Sequence, residues 1–166
     1  MTFKLWSVGA FKSTESHATV WRLMSIEDLR VGELYELLRL RSEVFVVEQQ
    51  CVYLDIDGDD RDAHHLLGVQ GDELKAYARC FGPGKKFAEA SIGRVVTHPT
   101  ARGSGLGHAL MAQAVAAVSQ VWGPQAIRIG AQAHLTDFYA KHGFLDVGRP
   151  YIEDDIAHLE MLRPAV

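Results

Sequence analysis

The first apolar run of the chain, residues 20–23, predicts a short β-strand. Ser25 follows, with Asp28 three residues later, which resembles a capping box with Asp in place of the usual Glu or Gln and predicts that a helix begins here. Apolar residues then recur at three- and four-residue steps, as on one face of a helix. The members of this face are Leu34, Leu37, Leu38, Val44 and Phe45, with Arg41 among them. This face is expected to pack against a sheet.

Three strand-like runs come next. Residues 65–70 and 73–81 flank Gly71 and Asp72, a turn pair that predicts an antiparallel hairpin. Residues 90–97 form the third run, which ends before a proline, a residue that disfavours continued strand pairing.

The second half of the chain opens with the longest helical pattern, residues 106–122, which has apolar positions on more than one face. A strand over 126–131, a helix over 135–142, and strands over 144–147 and 156–162 are expected after it. The predicted order is therefore strand, helix, three strands, helix, strand, helix and two strands. That order predicts an α/β (α+β) fold with a mixed central sheet flanked by helices.

Composition narrows the class of protein. The 166 residues are 48% apolar and 23% charged, which is typical of a globular protein and predicts a single domain over 19–166 after an extension of unclear structure, 1–18. A net charge of −4 argues against a broad nucleic-acid-binding surface. No apolar run reaches membrane-spanning length, and residues 1–12 lack the core of a signal peptide. We expect a cytoplasmic protein without membrane, nucleic-acid or metal contacts; a monomer and a homodimer both stay open.

The strongest chemical signal is the segment Arg102-Gly103-Ser104-Gly105-Leu106-Gly107, which lies between a predicted strand and a predicted helix. Its alternate glycines let the backbone approach a ligand and turn N–H groups inward, and the helix start adds positive potential. Such a loop suits a pyrophosphate, although a tight turn that serves only packing is the alternative. It is neither a Walker A loop nor a Rossmann fingerprint, because both the spacing and the following residues differ.

Two segments resemble the GCN5-related N-acyltransferases. The acyl-CoA loop of that family has the pattern Gln/Arg-x-x-Gly-x-Gly/Ala, which Arg102, Gly105 and Gly107 match in register. Residues 127–131 and 138–144 resemble the family's later strand and the helix that carries a phenol and ends in Gly-Phe.

A third segment resembles one subgroup of this family, the ElaA proteins. It consists of residues 40–49, LRSEVFVVEQ, followed by Asp57, Asp60 and His65. The whole resemblance covers about residues 20–162, and it implies the acyl-CoA N-acyltransferase fold.

The resemblance implies an acetyl-CoA site. In the family, the strand before the glycine loop diverges from its parallel neighbour and its free backbone groups pair with pantetheine, while the loop holds the pyrophosphate. The residues carried over are Val95, Val96 and Thr97 on that strand, Arg102, Gly103, Ser104, Gly105, Leu106, Gly107 and His108 around the loop, and Gln132, where the family often has Asn.

The resemblance also implies transfer of an acetyl group by direct attack of an amine in a ternary complex. Tyr139 is the expected general acid for the departing thiolate, since similar proteins place a phenol there. Its alternative role is that of a core tyrosine beside Phe138. The backbone N–H of Val96 is the expected oxyanion donor. The acceptor, a small-molecule amine or a protein amine, is not identified by the sequence.

The general base stays open among Glu43, Glu48, His65 and a chain of water molecules. The acidic run at 55–62 fails as a calcium loop, because its glycine is the fourth residue instead of the sixth. One hypothesis is that this run favours a cationic amine at the acceptor entrance; a solvated loop is the alternative.

Two other functions remain open. An acyl-homoserine lactone synthase shares the implied fold and a similar Arg-x-x-Val-Phe segment, but rarely so regular a glycine loop. A sensor that binds acyl-CoA without turnover is the other, and the presence of Tyr139 argues against it.

Overall fold

The computed structural model describes residues 18–165, in which one seven-stranded sheet forms the centre. Its strands are β1 (Val20–Met24), β2 (His64–Gln70), β3 (Glu73–Phe81), β4 (Ala90–Thr97), β5 (Ile127–Gln132), β6 (Leu145–Glu153) and β7 (Ile156–Arg163). The α-helices are α1 (Val31–Arg41), α2 (Leu106–Trp122) and α3 (Thr136–Ala140). Residues 1–17 lie outside the described residues. They include most of the predicted extension and the stretch 1–12, which was expected not to be a signal peptide.

The strands lie in the order β1-β2-β3-β4-β5-β7-β6. The pair β4–β5 is parallel, and the other neighbours in the sheet are antiparallel. This confirms the predicted mixed sheet flanked by helices. No helix of the described residues is long and apolar enough to cross a membrane.

The predicted start of the first helix is wrong. Ser25 donates a hydrogen bond to the carboxylate of Asp28 at 2.7 Å, but residues Ile26–Asp28 form only a 3-10 turn. Helix α1 begins at Val31, where the backbone N–H of Arg30 donates to the Glu33 carboxylate at 3.0 Å. A π-helical segment, Ser42–Glu48, then continues the chain. The later predicted helix, 135–142, is likewise shorter, because a 3-10 turn precedes α3.

Apolar side chains cover both faces of the sheet, because successive residues of a strand point to opposite sides. On one face, Ala76 and Ala78 of β3 pack with α2 in the larger core cluster. On the other face, Tyr77 packs with Leu37 of α1 and with Val96 of β4. Helices α1 and α2 therefore lie on opposite sides of β3 and β4, with the central strands buried between them.

A buried network of ion pairs joins α1 to the loop before β2. The Arg41 side chain, which is fully buried, donates to Asp55 at 2.9 Å and to Asp60 at 2.6 Å. Arg79 of β3 also binds Asp60, at 3.0 Å, and makes a second pair with Asp57 at 2.7 Å. Removing one partner of a buried pair leaves the other charge without compensation, so this network fixes the loop to the sheet.

We expect Arg41→Met to lower the free energy of unfolding by about 3–5 kcal/mol, because it removes a charged partner from each of the buried carboxylates Asp55 and Asp60. Arg39→Met is the matched control: Arg39 lies two residues away, its side chain is 60% exposed and its ion pair with Glu36 lies at the surface, so a change within about 0.5 kcal/mol is expected. Urea unfolding of both variants measures the difference. Equal effects of the two substitutions would contradict the role given to the network.

The same network predicts a pH dependence. Burial alone would raise the pKa of Asp60, but the hydrogen bond and charge of Arg41, and then Arg79, lower it. A carboxyl whose pKa is lower in the folded protein adds stability above its unfolded pKa, about 3.9, and this stability is lost as the pH falls through the folded pKa. The stability difference between the wild type and Asp60→Asn should therefore shrink below about pH 4. A difference that stays constant from pH 7 to pH 2 would refute this assignment.

Candidate active site

The two parallel strands at the centre of the sheet separate shortly after they meet. Strands β4 and β5 pair only at Ala90 with Ile127 and at Ser91 with Arg128. Further along, β4 keeps its pairing with β3, but the register shifts where Arg94 adopts a left-handed backbone conformation, φ 49°. Such a bulge bends a strand away from its neighbour. The result is a wedge-shaped opening between β4 and β5, with the predicted residues Val95, Val96 and Thr97 on its β4 side.

The glycine-rich loop lies at the end of β4 and leads directly into α2. Gly103 and Gly105 have φ values of 77° and 85°, a conformation that favours glycine. The loop residues Arg102, Gly103, Ser104 and Gly105 are exposed, and the Ser104 hydroxyl donates back to the carbonyl of Ala101 at 2.7 Å. The first N–H groups of a helix have no partner within it, so the amides of Leu106 and Gly107 can bind an anion.

His108 was expected to help bind the cofactor, but its backbone N–H is not free to do so. Its backbone N–H already donates to the Gly105 carbonyl, at 3.0 Å, and so is used by the helix. Its side chain points to α3, with Nδ1 2.9 Å from Nε2 of His142 and the ring against Phe138. Any contact of His108 with a ligand would therefore come from its imidazole.

A bidentate ion pair connects this loop to the π-helical segment. The Arg102 guanidinium binds both carboxylate oxygens of Glu48, at 2.8 and 3.0 Å. Both carboxylate oxygens of Glu48 accept hydrogen bonds from Arg102, so Glu48 positions the loop.

Tyr139 lies on α3 at the inner end of the opening. Its side chain is 8% exposed and packs edge-on against the rings of Phe138 and Phe144. Burial raises the pKa of Tyr139 to about 12, which keeps the phenol protonated at neutral pH. Tyr139 is thus both a core residue and a wall of the cavity described next.

A cavity of about 500 Å³ opens beside the wedge. Val95 of β4, Gln132 of β5 and Tyr139 of α3 all line it. Val96 does not: its side chain is buried on the α1 face, so only its backbone can serve the opening. The aromatic members of the lining are Phe45, Tyr53, Phe81, Phe87, Tyr139 and Tyr151.

The acidic loop does not offer its carboxylates to this cavity as free charges. Asp57, which reaches the lining, is bound by Arg79 at 2.7 Å, and Asp55 is bound by Arg94 at 2.7 Å. Burial alone would raise the pKa of Asp57. The hydrogen bond and the charge of Arg79 outweigh this effect and lower the pKa, so Asp57 stays ionised. The hypothesis that this run attracts a cationic amine is therefore not supported. Among residues 18–165, no group of three or more His, Cys, Asp or Glu side chains is placed to hold a metal ion.

The proposed bases lie outside the cavity. His65 is fully buried, with Nδ1 2.7 Å from the Tyr77 hydroxyl and Nε2 2.9 Å from the carbonyl of Asp60. The carbonyl can only accept, so Nε2 carries the proton and Nδ1 accepts from Tyr77. Glu43 is exposed and does not line the cavity. Neither residue is placed to take a proton from a substrate there.

The sequence reading missed several residues of the lining, among them Tyr53, Arg94, Tyr151 and His158. A local signal existed for the last of these: alternation in the final strand puts His158 on the face opposite that of Leu159, which packs against the core. The pairing of β7 with both β5 and β6 then brings His158 next to Gln132 and Tyr151, and no local pattern encodes that contact.

Comparisons with known proteins agree with this geometry. The family model of the "Acetyltransferase (GNAT) domain" matches residues 30–163. Protein ElaA of Escherichia coli K12 is 42% identical over 148 residues, which cover 88% of this chain and 97% of the relative. The crystal structure of E. coli ElaA superposes with a TM-score of 0.81, at 41% identity over 88% of this chain and 99% of the other.

An acyl-CoA N-acyltransferase from Pseudomonas aeruginosa superposes with a TM-score of 0.83, at 44% identity over 88% of this chain and 99% of the other. The acyl-homoserine lactone synthase BjaI gives a TM-score of 0.72 at only 16% identity, over 90% and 84% of the two chains, which shows a shared fold alone. The matches cover 97% of E. coli ElaA and 99% of the Pseudomonas chain. The chain therefore belongs to the GNAT acetyltransferase family, in its ElaA-like group, and is an acyltransferase of the acyl-CoA-dependent type.

Proposed function

We propose that the protein transfers an acetyl group from acetyl-CoA to an amine by direct attack in a ternary complex. The observation that carries this proposal is the wedge between β4 and β5, beside which Val95 of β4 and the buried Tyr139 line one cavity, while the glycine loop follows the end of β4. The similar Pseudomonas chain is described as an acyl-CoA N-acyltransferase, which supports a nitrogen acceptor. The free cysteines Cys51 and Cys80 are in keeping with the reduced cytoplasm as the place of the reaction.

The donor would lie along the β4 side of the wedge. Backbone groups of Val95, Val96 and Thr97 that β5 does not pair would bind the pantetheine as an added strand. Amides from Gly103 to Gly107, with the start of α2, would hold the pyrophosphate, and Gln132 would contact the arm from β5. Short-range donors must supply this affinity, since the net charge of −4 repels an anionic cofactor at long range.

Chemistry then requires three events at the thioester. The amine nitrogen attacks the carbonyl carbon and forms the new N–C bond, while the N–H of Val96 stabilises the oxyanion. The C–S bond breaks, and the phenol of Tyr139 gives its proton to the departing thiolate. The high pKa of Tyr139, caused by burial, keeps that proton available at neutral pH.

We expect Tyr139→Phe to lower kcat by about tenfold to a thousandfold with nearly unchanged affinity for CoA, because the ring and its packing remain and only the proton donor is lost. Free thiol released from acetyl-CoA in the presence of an amine panel measures the rate, and calorimetry with CoA measures the affinity. Tyr35→Phe is the control, since this exposed tyrosine of α1 lies outside the cavity. An unchanged kcat in Tyr139→Phe across the pH range would remove Tyr139 from the mechanism, and binding without any thiol release in the wild type would indicate a sensor.

Gly105→Val should abolish CoA binding. A Cβ at Gly105 would meet no protein atom within 4 Å, so the valine side chain would project into open space beside the loop. In the proposed complex the pyrophosphate occupies that space. Gly84→Val is the matched control, because Gly84 also has a positive φ, 78°, and open surroundings, but lies in a different loop. Both variants carry similar backbone strain, so calorimetry with CoA isolates the loss of the site. Wild-type affinity in Gly105→Val would disprove the placement of the pyrophosphate.

A further inference from the structure

Transfer to an amine needs a base, and this requirement rests on the proposed function. A primary amine with a pKa near that of lysine, about 10.4, arrives almost entirely as the ammonium ion at neutral pH. Its nitrogen cannot attack until one proton is removed. A base in the same cavity as Tyr139 would meet this need directly.

Most titratable groups of the cavity are unsuited to this task. Asp57 is held by Arg79, which stabilises its charge and makes it a weak base. Burial raises the pKa of the Tyr53 phenol and of the Cys51 thiol, so both stay protonated. Glu153 and Asp154 lie at the exposed tip of the β6–β7 hairpin, where the chain is open to solvent.

His158 is the one imidazole among the described residues that line the cavity. It lies on β7, directly opposite Gln132 of β5 and Tyr151 of β6. Its ring stacks on that of Tyr151, with centroids 5.4 Å apart and planes inclined by 23°. The stacking and the two flanking strands limit the orientations that the half-buried imidazole can adopt.

A backbone contact determines which nitrogen of His158 carries the proton. Nδ1 lies 2.9 Å from the carbonyl oxygen of Ile156. A carbonyl oxygen can only accept a hydrogen bond, so in the neutral ring Nδ1 is the donor and Nε2 keeps its lone pair. Nε2 is therefore the nitrogen that can accept a proton from a ligand in the cavity.

We infer that His158 is the general base of the acyl transfer. Nε2 takes one proton from the ammonium group of the acceptor, directly or through one water molecule. The freed nitrogen forms the N–C bond, the C–S bond breaks, and sulfur receives the Tyr139 proton. The second proton of the new amide nitrogen returns to the Tyr139 phenolate through solvent, and His158 releases its proton to solvent. The net products are the amide, free CoA and one proton.

The groups around His158 come from three elements. Tyr151 and Glu153 face it from β6, with Asp154 at the hairpin tip; Gln132 faces it from β5. Across the cavity, Asp57 and Arg94 are engaged with each other and with neighbouring charges of the buried network. Of these groups, His158 is the one that offers an imidazole lone pair to the cavity.

The test compares His158→Gln with the wild type, using the fastest acceptor among butylamine, 2-phenylethylamine, putrescine and Nα-acetyl-lysine. Gln keeps a polar side chain of similar reach but cannot take a proton. We expect kcat to fall about a hundredfold, the acid limb of the kcat profile to disappear, and the Kd for acetyl-CoA to stay within about twofold. His134→Gln is the control, since that imidazole is exposed and lies outside the cavity.

A second variant separates chemistry from packing. In His158→Ala, imidazole added to the buffer should restore part of the rate, because it can occupy the vacated space and accept the proton. The inference is overturned if His158→Gln keeps its kcat and acid limb, if its loss of rate comes with loss of acetyl-CoA binding, or if imidazole gives no rescue. Failure of the proposed function is distinct, because the wild type itself would then release no thiol with any of the four amines.

Discussion

The separation of β4 from β5 is the constraint on which the candidate site depends. Two parallel strands that begin as hydrogen-bonded neighbours at Ala90 and Ile127 would normally continue their ladder, since an unpaired backbone group away from water is unfavourable. Past the left-handed residue Arg94, β4 stays paired with β3, while β5 stays paired with β7. The backbone groups left between them are a ready template for a ligand that pairs like a strand.

A second constraint is the set of ion pairs that fixes the acidic loop beside the cavity. The loop that carries Asp55, Asp57 and Asp60 would expose several like charges if it were free. Arg41, Arg79 and Arg94 neutralise it from α1, β3 and β4, so three elements fix one loop. The arginine of the bulge therefore takes part both in opening the wedge and in fixing the acidic loop.

Local patterns were sufficient for much of the fold. Alternation and helical spacing located α2 and all seven strands, because burial on one face imposes a period on the sequence. For β6 the prediction was too short, since the strand ends at Glu153 and not at 147. The glycine loop was equally visible, since its backbone conformation restricts the residue type at Gly103 and Gly105. The start of α1 was misplaced because Ser25 and Asp28 can bond to each other in a single turn as well as at a helix start.

Contacts between distant segments could not be predicted in the same way. The acidic run looked like a solvated loop because its partners, Arg41 and Arg79, lie in a helix and a strand on either side of it in the sequence. His65 looked available but is enclosed by Tyr77 and Asp60. Alternation in the last strand indicated only the face on which His158 lies, and the pairing of β7 with β5 and β6 places it in the cavity with Tyr139.

The most direct measurement is a crystal structure of the protein with acetyl-CoA. The account predicts that the pantetheine arm lies between β4 and β5, with its amides bonded to the backbone around Val95–Thr97 and its sulfur within hydrogen-bond distance of the Tyr139 hydroxyl. A cofactor bound elsewhere, or a wedge that stays filled by protein side chains when acetyl-CoA is present, would contradict it.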